Sequence, residues 1–193
     1  LARAGALSPD DLLLVLVSGG GSSLLSLPLE GIAMADLKSV TRDLLASGAP
    51  IQEMNTIRKH LSAIQGGRLA LATRARVLAL VISDVTGDDP THIASGPCSP
   101  DPTTYADALD VLERYGVAAP PAIAAHLARG AAGEIPETPK AGDQGFNRVD
   151  TRVIATAHAS LMAAAAFAQA RGITPMVLGD SVTGESREVA KVH

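Results

Sequence analysis

The chain has 193 residues, long enough for one sizeable core and part of a second unit. A formal net charge of -4 without any Lys/Arg block argues against nucleic acid as a partner, and the single cysteine, Cys98, excludes an intrachain disulfide and a cysteine metal cluster. With 47% hydrophobic but only 2% aromatic residues, with no apolar run near the roughly 20 residues of a membrane span, and with no secretory signal, the chain reads as a cytoplasmic globular protein with a core of Ala, Leu, Val and Ile.

Leu12 to Val17 reads as a short apolar strand that runs into Ser18-Gly19-Gly20-Gly21-Ser22-Ser23. Met34 to Ser47 carries Leu37, Val40, Leu44 and Leu45 at helical spacing and stops at Gly48; Ile51 to Lys59 and Gly67 to Thr73 follow as further helical pieces. Val77 to Ser83 is the second strand, after which Tyr105 to Tyr115 and Ala122 to Arg129 form a helical pair closed by Gly116 and Gly130. Residues 131–150 are rich in Gly, Pro and charge without an apolar period, which predicts an exposed connection. A new unit follows, with a strand at Val153 to Thr156, an Ala-rich helix from His158 to Arg171 and a fourth strand at Pro175 to Leu178. Val189 to His193 reads as a helix cut in mid-course and there is no initiator Met, so the chain is expected to be a fragment. Short strands apolar on both faces, alternating with helices, predict an α/β fold: a three-layer α/β/α, Rossmann-like, mostly parallel sheet, with a further unit or a return to the sheet at the C-terminal end.

The glycine run stands between a strand and a resumed helical pattern. Glycine permits positive φ and close approach of a ligand, and the first N–H groups of a helix lack internal partners, so the turn suits a phosphate or carboxylate, with Ser18, Ser22 and Ser23 as added donors. It matches no Walker loop, because no Gly-Lys-Ser/Thr follows. Leu24 breaks both the dinucleotide fingerprint and the hydrolase elbow. A tight turn without a ligand stays open beside the anion loop.

Asn55-Thr56-Ile57-Arg58-Lys59-His60 puts an amide, a guanidinium, an ammonium and an imidazole at a helix end. Arg58 could fork a carboxylate and Lys59 neutralise a transferring phosphoryl, against the alternative that these cations merely favour the helix dipole. Asp84 and Asp88, in Ser83-Asp84-Val85-Thr86-Gly87-Asp88-Asp89, follow the second strand at the edge where open α/β sheets bind ligands; they could hold magnesium or cap a helix. The Pro-bounded loop His92-Ile93-Ala94-Ser95-Gly96-Pro97-Cys98 offers Ser95 and Gly96 to a substrate, and Cys98 reads as a packing residue.

Taken in order, these motifs resemble the glycerate 2-kinase family, whose members also carry the label hydroxypyruvate reductase and end in a MOFRL-type domain. The resemblance rests on Ser18-Gly19-Gly20-Gly21-Ser22, on Asn55-Thr56-Ile57-Arg58-Lys59-His60-Leu61-Ser62 with Gly66-Gly67-Arg68-Leu69-Ala70, on Ile82-Ser83-Asp84-Val85 with Gly87-Asp88, and on Ile93-Ala94-Ser95-Gly96-Pro97. It implies ATP- and magnesium-dependent transfer of a γ-phosphoryl to the 2-hydroxyl of D-glycerate. Residues 1–130 would then be the central part of the kinase's N-terminal α/β domain, 131–150 a connection, and 151–193 a βαβ segment leading toward the C-terminal domain.

In that frame the glycine turn, from Ser18 to Ser23, would cradle nucleotide phosphate or glycerate carboxylate. Arg58, Lys59 and Asp84 would be catalytic, Asn55, Arg58, His60, Ser95 and Gly96 would bind substrate, and Asp84 and Asp88 would position magnesium. Two positions depart from the family's usual residues, Gln65 for Lys and Cys98 for Thr. A homo-oligomer is compatible with the pattern. The competing readings are an NAD(P)H-dependent hydroxypyruvate reductase, against which the missing fingerprint counts, and a non-catalytic sugar-acid or nucleotide-binding domain.

Overall fold

The structure, a computed structural model, describes residues 1–192 and, at Ser23, the backbone alone; the end of the expected terminal helix at His193 lies outside the described residues. A single turn, α1 (Ala2–Gly5), precedes β1 (Leu12–Val17), and the glycine run then leads into α2 (Gly21–Leu24), also one turn long. Next come α3 (Met34–Ala46), α4 (Ile51–Leu61), α5 (Arg68–Leu71) and β2 (Arg76–Ile82). A short 3-10 segment at Ile93–Ser95 is followed by α6 (Tyr105–Arg114) and α7 (Pro121–Ala131). A second 3-10 segment at Gln144–Arg148 leads to β3 (Val149–Ala155), α8 (Ala157–Gln169) and α9 (Ser186–Val192).

The strands form one sheet in the order β1-β2-β3, parallel throughout, which gives the expected α/β class. Leu13 lies opposite Val77 and Val15 opposite Ala79. This side of the sheet packs on Ala70, Cys98 and Phe146, and Val77 and Ala79 are buried there. On the other side Leu12, Leu14 and Leu16 are more than half exposed and Ile82 nearly so. Among the described residues, one face of the sheet is therefore covered and the other is open.

The larger core is helical. Val40 and Leu44 of α3, Met54, Ile57 and Leu61 of α4, and Tyr105, Val111, Ile123 and Leu127 of α6 and α7 pack as one cluster. α6 is set by a capping box, in which Thr104 accepts from the Asp107 amide and Asp107 accepts from the Thr104 amide. Residues 131–150 carry two inward anchors, since Thr138 is buried and the Glu137 carboxylate accepts from the Tyr105 amide at 2.8 Å.

The expected fourth strand at Pro175 to Leu178 does not form. Pro175 has no N–H to give a ladder, the segment pairs with no strand, and Met176 and Leu178 stand exposed. No helix among the described residues is long and apolar enough to cross a membrane.

Candidate active site

The glycine turn follows β1 at its carboxyl end. Gly20 takes φ +66, and the Gly21 amide folds back to donate to the carbonyls of Ser18 and Gly19, so that amide serves the turn itself. With only four residues, α2 supplies little dipole, so anion affinity at this turn must come from side chains. The glycines are required by what packs on them. A Cβ at Gly19 would overlap the Asp84 carboxylate, and one at Gly21 would stand 2.8 Å from the Cβ of Ala94. Both loops that leave the sheet edge thus press directly on the turn. The Ser23 side chain, expected as a further donor, lies outside the described residues.

The 92–96 loop is held in an uncommon conformation. Ala94, Ser95 and Gly96 have φ of +51, +58 and +58 in succession, and two of them are not glycine. Backbone bonds over-determine the loop: the Gly66 amide donates to the Ser95 carbonyl at 3.0 Å and the Gly67 amide to the Gly96 carbonyl at 2.7 Å. Ser95 is fully buried, its hydroxyl donating to Asn55 Oδ1 at 3.1 Å and lying 3.2 Å from the Ser22 hydroxyl. Arg58 Nη1 donates to the same Asn55 oxygen at 3.3 Å, and Asn55 Nδ2 to the His92 carbonyl. A continuous polar chain therefore links the turn at Ser22, the loop at Ser95, and Asn55 and Arg58 on α4. Gln65, which sequence reasoning treated only as a departure, donates from its side-chain amide to the carbonyls of Ser22 and Leu25 and fixes α2 in place.

These elements enclose a cleft of about 230 Å³ lined by Gly19, Ser22, Asn55, Arg58, Asp84 and His92, among others. Arg58 is its cation. Burial lowers the guanidinium's pKa, and among the described residues no carboxylate forms an ion pair with it. His92 Nδ1 is buried without a hydrogen-bond partner among the described residues. Ser22 and Arg58 also line a second cavity, of about 480 Å³, on the α3 side.

Ser95 and Gly96, expected to bind substrate, stand behind the cleft and do not line it, and three further expected site residues are placed elsewhere. Lys59 is fully buried, with its ammonium 2.5 Å from Asp101 Oδ1. His60 is likewise buried, its Nδ1 on the Thr56 carbonyl and its Nε2 3.3 Å from Glu137. Both serve the helical core and neither lines the cleft. Lys59 stands one turn on from Asn55 along α4 but reaches the buried Asp101, and His60, well round the helix from Asn55 and Arg58, points into the core toward Glu137. Burial pushes the Asp101 carboxyl up, but the Lys59 charge and the bonds from Thr103 outweigh it and hold the pKa below the usual value. For His60 burial wins over the two nearby carboxylates and lowers the imidazole pKa. Asp88, with φ +56 and its amide on the Val85 carbonyl, also falls outside the cleft lining. Cys98 is buried, and its thiol pKa is pushed up to about 12, in keeping with packing rather than chemistry.

Among known proteins, a D-glycerate 2-kinase from Thermotoga maritima is 40% identical over 96% of this chain and 42% of its own length. A glycerate 2-kinase from Pyrococcus horikoshii is 41% identical over 93% of this chain and 40% of its own. Relatives from Agrobacterium vitis, provisionally named hydroxypyruvate reductases, reach 52% identity over 96% of the chain. The crystal structure of a Thermotoga maritima glycerate kinase superposes with a TM-score of 0.75, at 41% identity, over 89% of this chain and 39% of that one. The chain thus spans less than half the length of these relatives. Residues 1–128 match the family profile described as "Domain of unknown function (DUF4147)", and the chain belongs to that family.

Proposed function

We propose that the full-length protein carrying this chain is a glycerate 2-kinase, transferring the γ-phosphoryl of ATP to the 2-hydroxyl of D-glycerate. The observation that carries the reading is Arg58, a half-buried guanidinium that, among the described residues, bonds a neutral amide and pairs with no carboxylate, and that faces a cleft beside the glycine turn. A desolvated cation without a carboxylate partner gains most from an anionic ligand. The orphaned Nδ1 of His92 in the same wall adds a second polar group awaiting a partner.

In the transfer, the acceptor oxygen bonds to the γ-phosphorus, the bond to the β–γ bridging oxygen breaks, ADP departs and the hydroxyl proton passes to water. Such a reaction needs little covalent chemistry from the protein; it needs positioning and charge neutralisation. Arg58 would neutralise the transferring group or the glycerate carboxylate, the Ser22–Ser95–Asn55 chain would hold it in place, and the bare backbone of Gly19 and Gly20 would let the ligand approach.

Among the described residues no group of three or more His, Cys, Asp or Glu side chains is set to hold a metal. Magnesium takes only one or two carboxylates alongside phosphates and water, so Asp84, which lines the cleft, fits that need, whereas Asp88 does not line it. When bound, the ion would neutralise developing phosphate charge. The kinase names of the Pyrococcus and Thermotoga relatives support the reading, and a lone buried thiol accords with a reducing cytoplasm.

The test is to incubate the full-length protein with D-glycerate, ATP and magnesium and, in parallel, with hydroxypyruvate and NADH. ADP formation that depends on D-glycerate is the expected result. Loss of nicotinamide absorbance without ADP formation would replace the kinase by a reductase, and neither signal would leave a binding domain.

A further inference from the structure

Resting on the kinase reading, we infer that Gln65 is a positioning residue for the transfer: its side-chain amide holds α2 so that the Ser22 hydroxyl stands at the cleft, and it acts on turnover through Ser22.

Gln65 is 3% exposed, and its Nε2 donates at 3.3 Å to each of two carbonyls, that of Ser22 within α2 and that of Leu25 at its C-cap. A helix leaves its last carbonyls without internal partners, so one of four residues depends on donors from outside it. Two acceptors call for two N–H donors on one group, which a primary amide has. A carboxylate in its place would repel both oxygens, and an aliphatic side chain would leave both unmet. Leu24 is 88% exposed, so packing does little to fix this half of α2 and the two bonds from Gln65 matter more.

Gln65 is in turn fixed by its neighbours. Ser62, the C-cap of α4, accepts at 3.1 Å from the amides of both Ile64 and Gln65. The next two amides serve the other loop, Gly66 donating to the Ser95 carbonyl and Gly67 to that of Gly96. Residues 62–67 thus grip α2 with a side chain and the 92–96 loop with backbone, at the end of the helix that carries Asn55 and Arg58. Between the two gripped elements lies the 3.2 Å contact of the Ser22 and Ser95 hydroxyls. Only the side-chain half of the grip depends on which residue stands at 65.

Ser22 lines the 230 Å³ cleft with Asn55 and Arg58, and Gln65 does not. Its influence on a ligand there passes through α2, where a misplacement of about 1 Å can cost about a hundredfold in rate.

The experiment measures D-glycerate-dependent ADP formation by the full-length protein with Gln65 and Ser22 varied singly and together. Gln65→Leu is expected to lower kcat at least tenfold and Gln65→Glu at least as much. Gln65→Lys, whose ammonium can donate to both carbonyls, should stay within threefold of wild type. Ser22→Ala should lower kcat by a similar factor to Gln65→Leu, and Gln65→Leu/Ser22→Ala should fall no more than twofold below Ser22→Ala alone. Losses that multiply would overturn the inference, because Gln65 would then act independently of Ser22, as by touching a ligand in the larger cavity, which it also lines. Loss of the cooperative unfolding transition in all three variants at 65 would overturn it too, by making Gln65 a residue of the fold. Hydrogen exchange reads the same contact without activity: amides 21–26 should exchange at least fivefold faster in Gln65→Leu while those of α6 are unchanged, and equal exchange would remove the hold on α2. A wild-type protein that forms no ADP would overturn the kinase reading, whereas an active wild type with unchanged kcat in Gln65→Leu would overturn the role of Gln65 alone.

Discussion

Arg58 and Lys59 are adjacent in sequence and opposite in role. Arg58→Ala in the full-length enzyme should lower kcat/KM for D-glycerate at least tenfold, on the order of 1.4 kcal/mol of transition-state stabilisation, without moving the denaturation midpoint. Arg58→Lys should recover only part of the loss, since an ammonium cannot fork an anion while holding Asn55. Kinetics equal to wild type would remove Arg58 from the site. Lys59→Ala should instead leave Asp101 buried without its counter-charge, at a cost of about 3–5 kcal/mol in chemical denaturation. A stable Lys59→Ala protein with lost activity would return Lys59 to the chemistry.

The buried His60 and the half-buried His126 give the same core a pH signature. His60 and His126 both have pKa values below 6.5, in each case first because burial disfavours the charged ring. As pH falls below 6.5 the unfolded chain takes up protons before the folded one does. Stability is therefore complete above that pH and declines below it until the folded imidazoles themselves protonate. Urea midpoints measured between pH 7.5 and 5.5 should fall in that direction, and His126→Gln should flatten part of the fall; a level profile would show that burial does not govern these rings.

At the scale of elements, the clearest structural device is the contact between the glycine turn and the strained 92–96 loop. Gly21→Ala brings a Cβ to 2.8 Å from that of Ala94, so one element must move. The expected cost is about 1–3 kcal/mol, the range for overpacking, with a loss of activity of tenfold or more as the Ser22–Ser95 contact opens. Ala94→Gly removes both the obstructing methyl and the cost of positive φ at a residue with a side chain, so the double variant Gly21→Ala/Ala94→Gly should regain most of both losses. Additive effects in that double-mutant cycle would mean the two elements do not press on each other.

The elements themselves were largely legible in the sequence. β1 falls at Leu12–Val17 as its apolar run indicates, and α3, α4, α6 and α7 begin or end within about two residues of their expected limits. Local patterns carry that information. The turn, Asn55, Arg58 and Asp84 do meet at one cleft, and periodicity separates His60 from Asn55 and Arg58, whereas Lys59, one turn from Asn55, is drawn into the core by Asp101, a partner distant in sequence. Asp101, Glu137 and Gln65 gave no local signal, because their roles depend on partners 42, 77 and 43 positions away.

The whole molecule is uneven in how it buries apolar surface. The helices α3, α4, α6 and α7 close around a complete core, while the sheet is covered on one face and presents Leu12, Leu14, Leu16 and Ile82 on the other. Parallel sheets are almost always covered on both faces. The three leucines of β1 are between half and about three-quarters exposed, so covering them would gain on the order of 3 kcal/mol. A solution of the 193-residue chain by itself should therefore bind a hydrophobic dye such as ANS and associate as concentration rises. Leu14→Lys/Leu16→Glu places charges on that face only, since alternate strand residues share a side, and the inward residues Leu13 and Val15 are untouched. The variant should keep the far-ultraviolet dichroism of the parent, lose most of the dye signal and sediment as a monomer. Equal dye binding in parent and variant would mean that the open face of β1 is not where the dye binds and does not drive association.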